Sequence, residues 1–106
     1  MLRAVSLEGK ESELNDLLHW VAHQSRQEEG CVEYRVHQEE NDPRQFIVLE
    51  RWGTKTQHDI HLTKSYVVAY NEAVNDLVET SRADITSILR GSGKPASYAP
   101  GTLPMF

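Results

Sequence analysis

Residues 28–70 read EEGCVEYRVHQEENDPRQFIVLERWGTKTQHDIHLTKSYVVAY, and this stretch decides the fold. Cys31 to Gln38 alternates, with Val32, Tyr34 and Val36 on one face and Cys31, Glu33, Arg35 and His37 on the other. Asn41-Asp42-Pro43 is turn chemistry, because Asn and Asp close local side-chain turns and Pro presets φ. Gln45 to Trp52 follows as a strand, so the two segments form an antiparallel hairpin across a loop of four or five residues. In that strand Phe46 and Val48 point one way and Ile47 and Leu49 the other, so both faces need cover. A chain of 106 residues has few elements to supply it, which points to a partner subunit.

Working outward, Leu2 to Leu7 reads as a short strand carrying Arg3, Val5 and Leu7 on one face. A helix from Lys10 to Gln27 is marked by Leu14, Leu17, Leu18, Val21 and Ala22 at helical spacing. Glu11 and Glu13 sit in its first turn, where the macrodipole favours them. Gly30 reads as a left-handed cap at its end. After the Gly53 break, Thr54 with Gln57 is a capping-box start for a helix to Leu62. Ser65 caps a second segment running to Thr80, with Val67, Tyr70, Val74, Leu77 and Val78 as its stripe. Ala83 to Arg90 is the expected fourth strand. The expected organisation is one domain over residues 1–90 and a Gly/Pro-rich tail over residues 91–106. The order β-α-β-β-α-β predicts an α+β, ferredoxin-like domain with a four-stranded antiparallel sheet, doubled into a dimeric α/β barrel.

Composition narrows the function classes. A net charge of −5 without a basic cluster argues against nucleic acid as partner. No apolar run approaches a bilayer span and no signal peptide is visible, so a cytoplasmic protein that does not enter the membrane is expected. Cys31 is the single cysteine and fits a small apolar residue in a strand. His19 with His23, and His58 with His61, have helical spacing but lack the further ligands a metal site requires, so no metal is expected.

The set Glu29-Gly30-Cys31, Tyr34, Asn41-Asp42-Pro43, Glu50-Arg51-Trp52, His61-Leu62 and Ser65 resembles the antibiotic biosynthesis monooxygenase domain over residues 3–90. The resemblance implies a homodimeric α/β barrel. Some members oxygenate polyphenols or quinols with O₂ and neither metal nor flavin; others degrade haem, process a signalling-molecule phosphate, or lack a known substrate. Where haem degraders carry their axial histidine this chain has Asn71, and His61 falls where they place an aromatic residue. Strand 1 also lacks their Asn. The signal-processing relatives keep a histidine matching His61 but carry a second one where this chain has Tyr66.

Cofactor-free oxygenation needs an electron-rich substrate, a group that removes its proton and an apolar wall. The expected catalytic residues are therefore His61 as base, Trp52 as stacking wall and Tyr66 or Arg35 as oxyanion donor. Arg35, Glu50, His37 and Tyr34 are the expected substrate contacts, with Glu50 either facing the cavity or paired with Arg35 or Arg51. A small aromatic substrate and O₂ are the expected partners, and no cofactor is expected. Two other readings stay open: an isomerase or lyase that grips a polar or phosphorylated metabolite through Arg35 and Arg51, and a non-catalytic ligand-binding or stress-response barrel.

Overall fold

The computed structural model describes residues 1–83, and side chains through Glu79. Its elements are β1 (Leu2–Ser6), α1 (Glu11–Arg26), β2 (Cys31–Gln38), β3 (Gln45–Trp52), α2 (Lys55–His61), α3 (Ser65–Val74) and β4 (Val78–Ala83). All strand pairings are antiparallel, and the order β2-β3-β1-β4 is the ferredoxin-like arrangement. The hairpin pairs Tyr34 with Glu50 and Val36 with Val48. Its loop spans residues 39–44, longer than expected, with Glu39 N donating to Gln45 O across its base at 2.9 Å.

One sheet face lies under α1 and α3. Leu14, Leu18, Val21 and Ala22 of α1 and Val67, Tyr70 and Val74 of α3 are buried against Leu2, Ala4, Tyr34, Phe46, Val48 and Trp52. The other face carries Val5, Ile47 and Leu49, half-buried, beside Arg3, Arg35, His37 and Arg51. The two-sided character read from strand 3 is thus present.

Four expectations are corrected. The fourth strand runs over Val78–Ala83, and α3 stops at Val74. Residues 84–90, where that strand was expected, and the tail at 91–106 lie outside the described residues. Gly30 does not have a positive φ; the left-handed glycine is Gly9, at φ 85° in the β1–α1 turn. Gly30 is required for space instead, since a Cβ there would lie 2.4 Å from Gln57 Cβ. A register shift between Cys31 and Glu33 also breaks the alternation of β2, so Val32 is 57% exposed while Cys31 packs against the core. Ser65, finally, is the first helical residue rather than the cap, which is Lys64.

Candidate functional site

Between sheet and helices the core is polar around one histidine. Thr54 caps α2 by accepting from Gln57 N at 3.1 Å, and the helix turns His58 and His61 inward, three residues apart on one side. His61 is fully buried. Its ring lies against Trp52 at the end of β3, with centroids 4.4 Å apart and planes 35° apart. The His58 ring stacks nearly parallel to it, 19° off at 6.0 Å. Tyr34 stands at 6.4 Å and Tyr66 at 6.0 Å, the latter edge-on.

Two carboxylates enter the cluster. Glu28, in the turn after α1, places Oε2 2.6 Å from His61 Nδ1 and also accepts the Tyr66 hydroxyl. Tyr66 OH further contacts Ser25 Oγ at 3.2 Å, and Ser25 donates back to Val21 O at 2.6 Å. Glu50 accepts Trp52 Nε1–H at 2.7 Å and lies 3.5 Å from His58 Nε2. His61 Nε2 is buried with no hydrogen-bond partner among the described residues, and so are both amide atoms of Asn71.

Burial governs the ionisation here. Desolvation holds the His61 pKa below its ordinary 6.5, outweighing the carboxylates of Glu28 and Glu50, which pull the other way. Tyr66 is raised, first by burial and then by its bond to Glu28; Tyr34 and Tyr70 are raised well above the usual phenol range by burial and the charge of Glu50. These phenols stay protonated near neutral pH. Burial, with Glu50 and Glu28 adding, lifts the Cys31 thiol to about 11, which leaves it a poor nucleophile.

Of the expected residues, the structure brings His61, Trp52, Tyr66, Glu50 and Tyr34 into one cluster. It places Arg35 and His37 elsewhere: both are exposed, on the sheet face away from α1 and α3. Glu50 pairs with Trp52 and His58, whereas Glu33 is the residue that bridges Arg35, at 2.7 Å, and Arg51, at 3.2 Å. Arg35 and Arg51, the expected anion grip, are thus both ion-paired to Glu33. Sequence reading missed Glu28, Ser25 and His58 as members of the cluster. Of these His58 alone gave a usable signal, its helical spacing from His61. A groove of about 350 Å³ is lined by Arg26, Cys31, Val32, Glu33, Tyr34 and Arg35, and Tyr34 belongs both to it and to the ring cluster. Among the described residues no group of three or more His, Cys, Asp or Glu side chains is placed to hold a metal, and no helix is long and apolar enough to cross a membrane.

Fold and site together define an α+β, ferredoxin-like domain with a carboxylate–imidazole–indole cluster beneath its sheet. The chain belongs to the antibiotic biosynthesis monooxygenase family, whose model matches residues 7–73. A Shewanella oneidensis protein of known structure is 27% identical, with a TM-score of 0.72 over 76% of this chain and 80% of that one. A Deinococcus radiodurans protein whose name places it among the antibiotic biosynthesis monooxygenases aligns over 97% of this chain and 95% of its own, at 22% identity and a TM-score of 0.69. A Pseudomonas aeruginosa protein aligns over 76% of this chain and 82% of its own, at 21% identity and 0.72. The last two likenesses speak to the fold alone. No curated protein matches the sequence significantly.

Proposed function

We propose that this protein is a monooxygenase that converts a small aromatic phenol or quinol to a quinone with O₂, using no bound metal or flavin, and that His61 is its base. The observation that carries the reading is a fully buried imidazole, stacked on Trp52, whose Nε2 has no partner among the described residues. A buried nitrogen left unpaired is costly, and a substrate hydroxyl satisfies it. His61 Nε2 takes the hydroxyl proton, and the anion left behind reduces O₂. For a simple phenol, one O₂ is consumed and a quinone and one water are formed. The new imidazolium N–H at Nε2 faces the anion it created, so His61 also stabilises the developing charge. Trp52 supplies a flat apolar wall for the ring, its N–H held by Glu50. The hydrogen of Tyr66 is committed to Glu28, which makes Tyr66 a support of the cluster rather than the oxyanion donor. The groove that shares Tyr34 with the cluster is the proposed entry.

A homodimer completes the proposal. Val5, Ile47 and Leu49 give the outer sheet face an apolar centre, and a second copy of the chain stacked there gives it the cover that soluble sheets need.

The test is O₂ uptake by metal-stripped protein against a panel of hydroquinones and anthrones, corrected for autoxidation. Saturable uptake that is lost in His61→Gln, with fold retained, is the expected result. Uptake at the autoxidation rate across the panel would remove the oxygenase reading.

A further inference from the structure

Glu28 is held firmly within the cluster, by its backbone and by its side chain. Its backbone is pinned on both sides, with Glu28 N donating to Ser25 O and Glu28 O accepting from Cys31 N, each at 3.0 Å. The turn therefore fixes where the carboxylate points. One oxygen, Oε2, takes two donors, His61 Nδ1 and the Tyr66 hydroxyl, and only 14% of the side chain is exposed. Tyr66 is itself held at Ser25 and edge-on to Trp20 at 6.1 Å. An ionised carboxylate only accepts, so the His61 proton sits on Nδ1 and the lone pair on Nε2.

We infer that Glu28 is the positioning residue of this site: it fixes the His61 tautomer so that Nε2 is the base, and it faces the imidazolium that forms when Nε2 takes the substrate proton. The inference rests on the reading of His61 as the base. In that step the substrate O–H bond breaks, a new N–H bond forms at Nε2, and the electron pair stays on the substrate oxygen. The Nδ1 proton remains where it is, and the Glu28 carboxylate compensates the new positive charge across the 2.6 Å contact. Tyr66 donates to the same oxygen and keeps the carboxylate from rotating away. Glu50, 3.5 Å from His58 Nε2, the His58 ring at 6.0 Å and the Tyr34 phenol ring at 6.4 Å also face this step.

The test is the ¹⁵N–¹H long-range spectrum of the His61 ring in wild-type protein, Tyr66→Phe and Glu28→Gln, together with the pH–rate profile. Wild type and Tyr66→Phe should show the Nδ1-protonated ring. Glu28→Gln should lose that fixed tautomer, drop kcat by roughly 10-fold or more as wrong-tautomer variants do, leave KM nearly unchanged, and move the acid limb of the profile to lower pH. A role confined to stability would lower the melting temperature and leave tautomer and acid limb in place. A wild-type ring protonated at Nε2, or an unchanged tautomer in Glu28→Gln, would overturn the inference. The spectrum needs no substrate and no variant for its first arm. It can therefore overturn the inference even where oxygen uptake is absent or Glu28→Gln does not fold.

Discussion

Gly30→Ala should disable this protein through packing rather than backbone strain. The added Cβ would meet Gln57 Cβ at 2.4 Å, Cδ at 2.6 Å and Cγ at 2.7 Å. Carbon pairs rest at about 3.5–4.0 Å, so the first turn of α2 would have to retreat by roughly 1 Å. Gln57 Cβ is fixed to the helix and cannot swing aside as a side-chain tip can. Overpacking of this kind costs about 1–3 kcal/mol. In a domain of this size about 2 kcal/mol corresponds to a fall in melting temperature of roughly 8–16 °C. The control is Gly53→Ala, whose Cβ would meet only the terminal Oε1 of Gln57 closer than 3.7 Å, at 2.6 Å. That tip can rotate away, so the loss should stay below about 1 kcal/mol. Removing the obstacle in Gly30→Ala/Gln57→Gly should recover most of the loss, less about 1 kcal/mol for glycine in the helix. Because α2 carries His58 and His61, the activity proposed for His61 should fall with stability in Gly30→Ala and return in the double variant. Thermal and urea unfolding followed by circular dichroism reads all four proteins. A Gly30→Ala melting temperature matching wild type, or equal losses at Gly30 and Gly53, would refute the reasoning.

Three other outcomes follow from the cluster. The folded-state pKa of His61 lies below its ordinary 6.5, so the unfolded chain takes up that proton first as pH falls. The His61 contribution to stability is complete above pH 6.5 and is lost as pH drops from there toward the folded-state pKa; urea midpoints at several pH values should show this slope, weakened in His61→Gln. Trp52→Phe removes the indole donor to Glu50, at 2.7 Å, and should cost about 1.5–3 kcal/mol for the charge-assisted bond alone, read from the urea midpoint. Cys31, with its thiol near 11, should react with a disulfide reagent at pH 8 roughly 100-fold more slowly than an unperturbed thiol; equal rates would contradict the burial described here.

What the sequence disclosed and what it hid have physical reasons. Alternation over Cys31–Gln38 and Gln45–Trp52, and 3.6-residue spacing in α1, placed the hairpin and first helix within a residue or so of their observed ends. The end of α3 was hidden because Val74, Leu77 and Val78 continue the helical stripe across it. The real signal was Asn75-Asp76, two poor helix formers that carry no obligatory break. In β2 the period of two correctly grouped Glu33, Arg35 and His37, but periodicity names faces without saying which one holds the site. That is why Arg35 and His37 were expected beside Trp52 and His61, although both lie exposed on the sheet face away from α1 and α3, Arg35 also lining the groove that holds Tyr34. The bulge before Glu33 then moved Val32 out and Cys31 in, a shift no alternation rule anticipates. Trp52, His61 and Tyr66 were singled out because their residue types carry chemistry, and they do lie together. Glu28 was not, because a glutamate after a helix reads as solvated, and its contact with His61 spans 33 residues of chain.

The most direct test of the central claim is an anaerobic titration of the protein with a phenolic or anthrone substrate, followed by ultraviolet–visible absorption. With O₂ absent the reaction stops after proton transfer, so the spectrum isolates the step assigned to His61. The account predicts that the bound substrate shows the spectrum of its anion in wild-type protein and of its neutral form in folded His61→Gln. An anion spectrum of equal intensity in both proteins, or a neutral substrate bound to wild type, would contradict it.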